Sequence, residues 1–297
     1  MLGTRLVSGV TMAAVLVAIL YADEWMAPWF PLWLILTLTV MGLASLELIG
    51  LLHDSSARPS RGVLFGGVLA VVLSNWAPHV LGADQDPSYD ALGPVSALGW
   101  TLMAFTAVAM LCFFAESLQY EKPGATMATI AGTLLGVTYL GLFSAFVIQL
   151  RWFDGPYHGL LPVGFLFATA KGSDVGAYSI GRIAGRHKLW PKLSPNKTIE
   201  GSVGGLIVGV AGSLGVAALA REVLGVPTLS WPSAIGFGLV VGASAQLGDL
   251  MESMIKRDCE RKDASDTVPG FGGVLDVIDS PLFAGPVAFG FWLLFGP

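Results

Sequence analysis

Four aspartates, Asp263, Asp266, Asp276 and Asp279, fall within the nineteen residues "KDASDTVPGFGGVLDVIDS" (262–280). Carboxylates gathered this closely repel one another and need cations nearby. They are interleaved with Pro269, Gly270, Gly272 and Gly273, which build a tight loop whose backbone can approach a ligand closely. Asp276 and Asp279 are spaced i,i+3, on one face if the segment is helical. Lys256, Arg257, Arg261 and Lys262 lie just upstream. Hard oxygen ligands point to Mg2+. The four histidines, His53, His79, His158 and His187, are scattered, which argues against zinc. Cations beside carboxylates are what a metal–nucleotide site uses. The plain alternative is a solvated acidic loop.

Three further stretches carry polar chemistry. In "GASAQLGDLMESMIKR", Asp249, Glu252, Ser253 and Lys256 fall at i, i+3, i+4 and i+7, one helix face. Glu252 and Lys256 can be read as an ordinary i,i+4 ion pair, whereas Asp249 lies deeper in the apolar run. In "RHKLWPKLSPNKTIEGSVGG", two prolines and Ser194, Lys197 and Thr198 precede an apolar run. A loop entering a helix there presents free N–H groups and a positive dipole end, which suit an anion. An ordinary basic loop is the alternative. In "ATAKGSDVGAYSIGR", Lys171 and Asp174 are ionisable groups within an apolar segment, a functional candidate by default, with a structural pair as the plainer reading.

These residues are set in an unusually apolar chain, 54% hydrophobic and 12% charged, where soluble proteins carry about 25% charged residues. Apolar runs recur near the roughly 20 residues that cross a bilayer as a helix. They do not alternate as the strands of a membrane barrel would. The expected fold class is therefore all-α, a polytopic membrane protein of about nine transmembrane helices. The spans are read near 5–21, 29–52, 62–82, 94–115, 125–150, 159–181, 200–220, 232–255 and 280–296. The first fits as an uncleaved helix better than as a signal peptide. Gly66 and Gly67 are expected to permit close helix packing in the third. Neither Cys112 nor Cys259 suggests a disulfide framework.

With the N-terminus inside, the inner segments hold 13 basic residues: Arg5, Arg58, Arg61, Lys122, Arg182, Arg186, Lys188, Lys192, Lys197, Lys256, Arg257, Arg261 and Lys262. The outer loops hold only Arg151 and Arg221, and the acidic stretch "ADQDPSYD" falls outside as well. This is the positive-inside pattern. The first five spans (1–158) carry almost no ionisable residues and are read as N-terminal membrane helices. Residues 159–297 are read as a catalytic membrane half with cytoplasmic loops.

The segment "SMIKRDCERKDASDTVPGFGGVLDVID" resembles the signature of the phosphatidate cytidylyltransferases, or CDP-diacylglycerol synthases. Ser253, Lys256, Arg257, Lys262, Asp263, Pro269, Gly272, Gly273, Asp276 and Asp279 match its spacing. "SPNKTIEG", "DVGAY" and "GDLMES" are similar to further family segments, so the resemblance covers roughly 171–280. Two positions depart from it: Phe271 stands where the family has His, and Val277 where it has Arg. A working enzyme with a variant loop is expected.

The resemblance implies transfer of a cytidylyl group from CTP to phosphatidic acid, with Mg2+ as cofactor and a second cation as a further expectation. Asp249, Asp276 and Asp279 are the expected metal ligands. Ser194, Lys197 and Thr198 would hold phosphate near the start of the seventh span. Lys256, Arg257 and Lys262 would bind triphosphate or lipid head group, with Gly272 and Gly273 shaping the loop. Lys262, Asp263 and Asp279 are the expected catalytic residues, Asp263 orienting Lys262 or a metal-bound water. Asp174 and Glu200 are weaker candidates. The expected partners are CTP, phosphatidic acid, membrane lipid and a second copy in a homodimer, with no nucleic acid. The expected place is the bacterial inner membrane, with the site facing the cytoplasm. Rival readings are another CTP-dependent lipid enzyme (a polyprenol or phytol kinase, or an ether-lipid synthase), an ion-coupled transporter, and a non-catalytic membrane partner.

Overall fold

The structure is a computed structural model that describes residues 2–53, 55, 57–81, 93–153, 159–268, 270 and 272–297. The acidic stretch 83–90, His158, Pro269 and Phe271 lie outside the described residues. The chain is an all-α polytopic membrane protein. Its helices are α1 (Leu2–Asp23), α2 (Pro31–Leu52), α3 (Arg61–Ser74), α4 (Ala77–Leu81), α5 (Gly93–Leu118), α6 (Thr126–Gly136), α7 (Phe143–Gln149), α8 (Leu160–Ala184), α9 (Ile199–Ala218), α10 (Trp231–Asp258) and α11 (Val274–Phe295). A π-helical segment, Val137–Leu142, joins α6 to α7. Strands β1 (Lys188–Trp190) and β2 (Ser194–Thr198) pair antiparallel between α8 and α9.

Seven helical stretches among the described residues are long and apolar enough to cross a membrane, so the expected count of nine is not confirmed. The other two expected spans fall on α3, which is apolar but only 14 residues long, and on α8, whose 25 residues include Lys171, Asp174 and Arg182. The chain forms two compact units, Met1–Trp152 with Asp258–Val277, and Phe153–Arg257 with Ile278–Pro297.

In the first unit, buried Asp23 starts α2 by accepting from the Leu32 and Trp33 amides at 3.0 and 2.9 Å. Pro31, which has no N–H to satisfy, opens the helix. Nearby, fully buried Arg151 donates to the Leu20 carbonyl at 2.9 Å and to Glu24 at 3.0 Å, and lies 4.2 Å over the Phe30 ring. The side-chain oxygen of buried Asn75 accepts from the Thr101 hydroxyl at 3.3 Å and from the Gln149 amide at 3.0 Å. Gly67 is a close-packing position, since a Cβ there would meet Val108 at 2.5 Å. Gly66 is not: it points to open space, because the neighbouring position on a helix faces 100° away.

The second unit is built on a glycine seam. A Cβ at Gly176 of α8 would lie 2.8 Å from the Gly204 carbonyl of α9, and one at Gly205 would lie 2.8 Å from the Ser173 carbonyl. The two main chains touch directly. The same device sets α10 on α9, where a Gly238 Cβ would lie 2.6 Å from the Val210 Cα. Away from the seam, Phe165, Phe237 and Trp292 pack ring against ring.

Candidate active site

Helix α10 turns Asp249, Glu252 and Lys256 to one side, as their spacing dictates. Gly248 lets α11 come close to that side: a Cβ there would lie 2.6 Å from the Phe283 Cβ and 2.7 Å from the Asp279 carbonyl oxygen. The outcome is a carboxylate group of Asp249, Glu252 and Asp279, whose oxygens lie within 4.8 Å of one another. Glu252 and Asp279 are buried, at 1% and 5% exposure.

Three charges this close, two of them buried, need compensation. Lys197 reaches Asp249 at 2.7 Å, and Lys256 pairs with Glu252 one turn back on α10. Lys171 on α8 sits 2.9 Å from Asp174, whose second oxygen accepts from the Ser280 hydroxyl at 3.1 Å. Ser280 also donates its backbone N–H to Asp279 at 2.6 Å. Glu252 and Lys256 do form the i,i+4 pair expected of them, but it is buried and belongs to the acidic group. The donor set fits a hard divalent cation, since all three groups offer carboxylate oxygen.

The segment expected to hold phosphate is organised locally. Thr198 is the N-cap of α9, and its hydroxyl accepts from the Gly201 amide at 3.1 Å, leaving Lys197 directed at Asp249. Ser194 is half-buried at the start of β2, paired across the hairpin with Trp190. Glu200 holds the hairpin entry, accepting from the Arg186 and His187 amides, each at 3.1 Å, and meeting the His187 ring at 2.5 Å. Arg257 is exposed.

The remaining expected residues belong to the first unit. Lys262 and Asp263 are exposed. Gly272 has φ +104°, a conformation that favours glycine, and exchanges backbone hydrogen bonds with Val268 at 2.6 and 3.1 Å. Asp276 is found in a capping role: one oxygen accepts from the Gly273 and Ala264 amides at 2.7 and 3.0 Å. Helix α11 begins at Val274 rather than at the expected 280, so Pro281 is interior to it. The reason is that the helix start is capped earlier than the apolar run suggests. Cys112 and Cys259 are both free. Burial, with Asp258 nearby, pushes the Cys259 thiol up, away from reactive thiolate.

One acid had escaped notice. Glu47, alone among apolar neighbours late in α2, accepts from the Val274 and Leu275 amides at 3.0 and 2.8 Å. It also accepts from the Ser265 hydroxyl at 2.7 Å and from the Thr267 hydroxyl. A lone carboxylate in a membrane-length helix was itself a readable signal.

The cytidylyltransferase family profile matches residues 3–295. A phosphatidate cytidylyltransferase of Synechocystis sp. is 36% identical over 217 residues, 64% of this chain and 70% of its own length. Enzymes of the same name from Bacillus subtilis and Brucella suis are 35% and 40% identical over 161 and 162 residues, each 54% of this chain. The matched region spans little more than half of those two relatives, 57% and 56%. With a profile match running through nearly all of its helices, this chain belongs to the cytidylyltransferase family.

Proposed function

We propose that the protein transfers a cytidylyl group from CTP to phosphatidic acid, giving CDP-diacylglycerol and pyrophosphate for phospholipid synthesis. The observation that carries this reading is the carboxylate group of half-exposed Asp249 with buried Glu252 and Asp279, beside Lys197 and Lys256. The names of the similar proteins point the same way.

In the reaction, an oxygen of the phosphatidate phosphate bonds to the α-phosphorus of CTP. The bond from that phosphorus to the bridging oxygen breaks, and its electron pair leaves with pyrophosphate. The attacking monoester has a second pKa of about 6 and is ionised at neutral pH, so no strong general base is required. The lost signature histidine at Phe271 is then tolerable. The obstacle is bringing two polyanions together. Asp249, Glu252 and Asp279 would hold Mg2+, with Asp276 proposed as a further ligand from its sequence spacing and a second cation as a further expectation. When bound, the metal neutralises phosphate charge and orients the groups for in-line displacement.

The lysines are displaced from their carboxylates as substrate binds. Lys197, beside Thr198 and Ser194, then meets phosphate at the α9 start, and Lys256 and Arg257 meet triphosphate or head group. Lys262 and Asp263 are proposed for the triphosphate from the signature match. Asp174 keeps Lys171 and Ser280 in place, and Glu200 keeps the hairpin in place. Residues 159–297 are assigned the chemistry and residues 1–158 the anchoring. The site is assigned to the cytoplasmic face of a bacterial inner membrane, where CTP is available and the acyl chains stay in lipid. A homodimer is proposed, to be checked by cross-linking in native membranes.

The test is incubation of purified protein with phosphatidic acid and CTP labelled at the α- or γ-phosphorus. α-Label in the lipid, with γ-label in pyrophosphate, is the expected result. γ-Label in the lipid would mean a kinase and would reject the reading.

A further inference from the structure

Glu47 lies on α2, far in sequence from the signature, yet it is the anchor of the loop that precedes α11. Its Oε1 accepts from the Ser265 and Thr267 hydroxyls and the Val274 amide, and its Oε2 accepts from the Leu275 amide. The fit is close: a Cβ on Gly273 would stand 2.5 Å from Oε2, so glycine is what admits the carboxylate. Asp276 takes the neighbouring donors, the amides of Gly273 and Ala264. Two carboxylates thus divide the open N–H groups at the start of α11. An uncapped helix start attracts the nearest anion. With Glu47 gone, Asp276, which already accepts from the Gly273 amide, would be drawn further onto the helix end.

We propose that Glu47 is a positioning residue for the reaction: it ties Ser265 and Thr267 to the start of α11 and fixes the orientation of Asp276, without touching substrate. This rests on the proposed function for its kinetic consequence, though not for its effect on the loop. A carboxylate placed among apolar helix neighbours is costly, and the four hydrogen bonds offset that cost only while the loop is seated.

The experiment compares full-length wild type with Glu47→Gln and with Ser265→Ala/Thr267→Ala in detergent. Glu47→Gln keeps the shape but puts an NH2 against backbone donors. The expected result is a 10–100-fold fall in kcat or in apparent Mg2+ affinity, the usual effect of losing a group that orients a metal ligand, with KM for CTP at saturating Mg2+ little changed. The double variant keeps the amide contacts and shows a smaller shift in the same direction. Trypsin cleavage after Arg261 and Lys262, which needs no turnover, is faster in Glu47→Gln. Wild-type kcat, Mg2+ dependence and cleavage rate in Glu47→Gln would overturn the proposal. Should that variant not fold, unchanged Mg2+ dependence and cleavage in the double variant would overturn it instead. A wild type inactive on CTP and phosphatidate would reject the proposed function, while the cleavage comparison would still decide the role of Glu47.

Discussion

Gly248 of α10 lies against the main chain of Asp279 on α11, with 2.7 Å between its missing Cβ and the Asp279 carbonyl oxygen. That contact sets the separation of the two helices where their carboxylates meet. Gly248→Ala must push them apart, because the Phe283 Cβ blocks the alternative path at 2.6 Å. Such overpacking costs about 1–3 kcal/mol. The expected outcome is a lower unfolding midpoint in detergent together with weaker Mg2+ activation of turnover, measured by CTP consumption across a Mg2+ titration.

Asp279→Asn keeps the size and the Ser280 amide contact while removing one charge from the acidic group. Metal-based charge stabilisation is worth several kcal/mol, so turnover should fall by about 100-fold or more. Thermal unfolding should stay near wild type, and chelation of divalent cations should bring the wild type down to the same level. Substantial Mg2+-dependent activity in the variant would reject the ligand assignment.

Asp276 has two roles to separate. Asp276→Asn retains an oxygen that can accept from Gly273 and Ala264, but no negative charge. Asp276→Ala loses both. If Asp276 holds metal, both variants lose turnover. If it only caps α11, Asp276→Asn stays active and Asp276→Ala loses about 1 kcal/mol of stability. Parallel kinetics and melting curves distinguish the two.

Arg151 should matter to stability and not to chemistry. Its guanidinium is wholly buried between the Leu20 carbonyl, Glu24 and the Phe30 ring. Arg151→Leu removes the donor to the buried Leu20 carbonyl and the ion pair with Glu24, a change expected to cost about 1–3 kcal/mol. The measurement is a reduced melting temperature with turnover per folded molecule unchanged.

The helices were legible because burial in lipid demands long apolar runs. The expected span 232–255 lies inside α10, and 29–52 nearly coincides with α2. The face of α10 that carries Asp249 and Glu252 followed from helical spacing alone. What spacing could not give is what meets that face. Glu252 was read as an ordinary ion pair because its burial depends on the approach of α11 permitted by Gly248. The expected start of α11 falls six residues late, at 280 rather than Val274, because the Val274 and Leu275 amides are capped by Glu47, 227 residues from Val274 in sequence. Gly66 and Gly67 looked equivalent as letters, and only the packing of Val108 separates them.

Where α8 and α9 meet, carbonyl oxygens and α-carbons stand in for side chains. Ile180 and Val208 fill the space beside those backbone contacts, so the two helices are held at a short separation. Between α10 and α11 the contact is made instead by larger, rotatable groups, with Phe237 meeting Phe291 and Trp292 edge-on. Substitutions among those rings repack a side-chain interface, whereas any side chain added at Gly176 or Gly205 would have to separate two backbones.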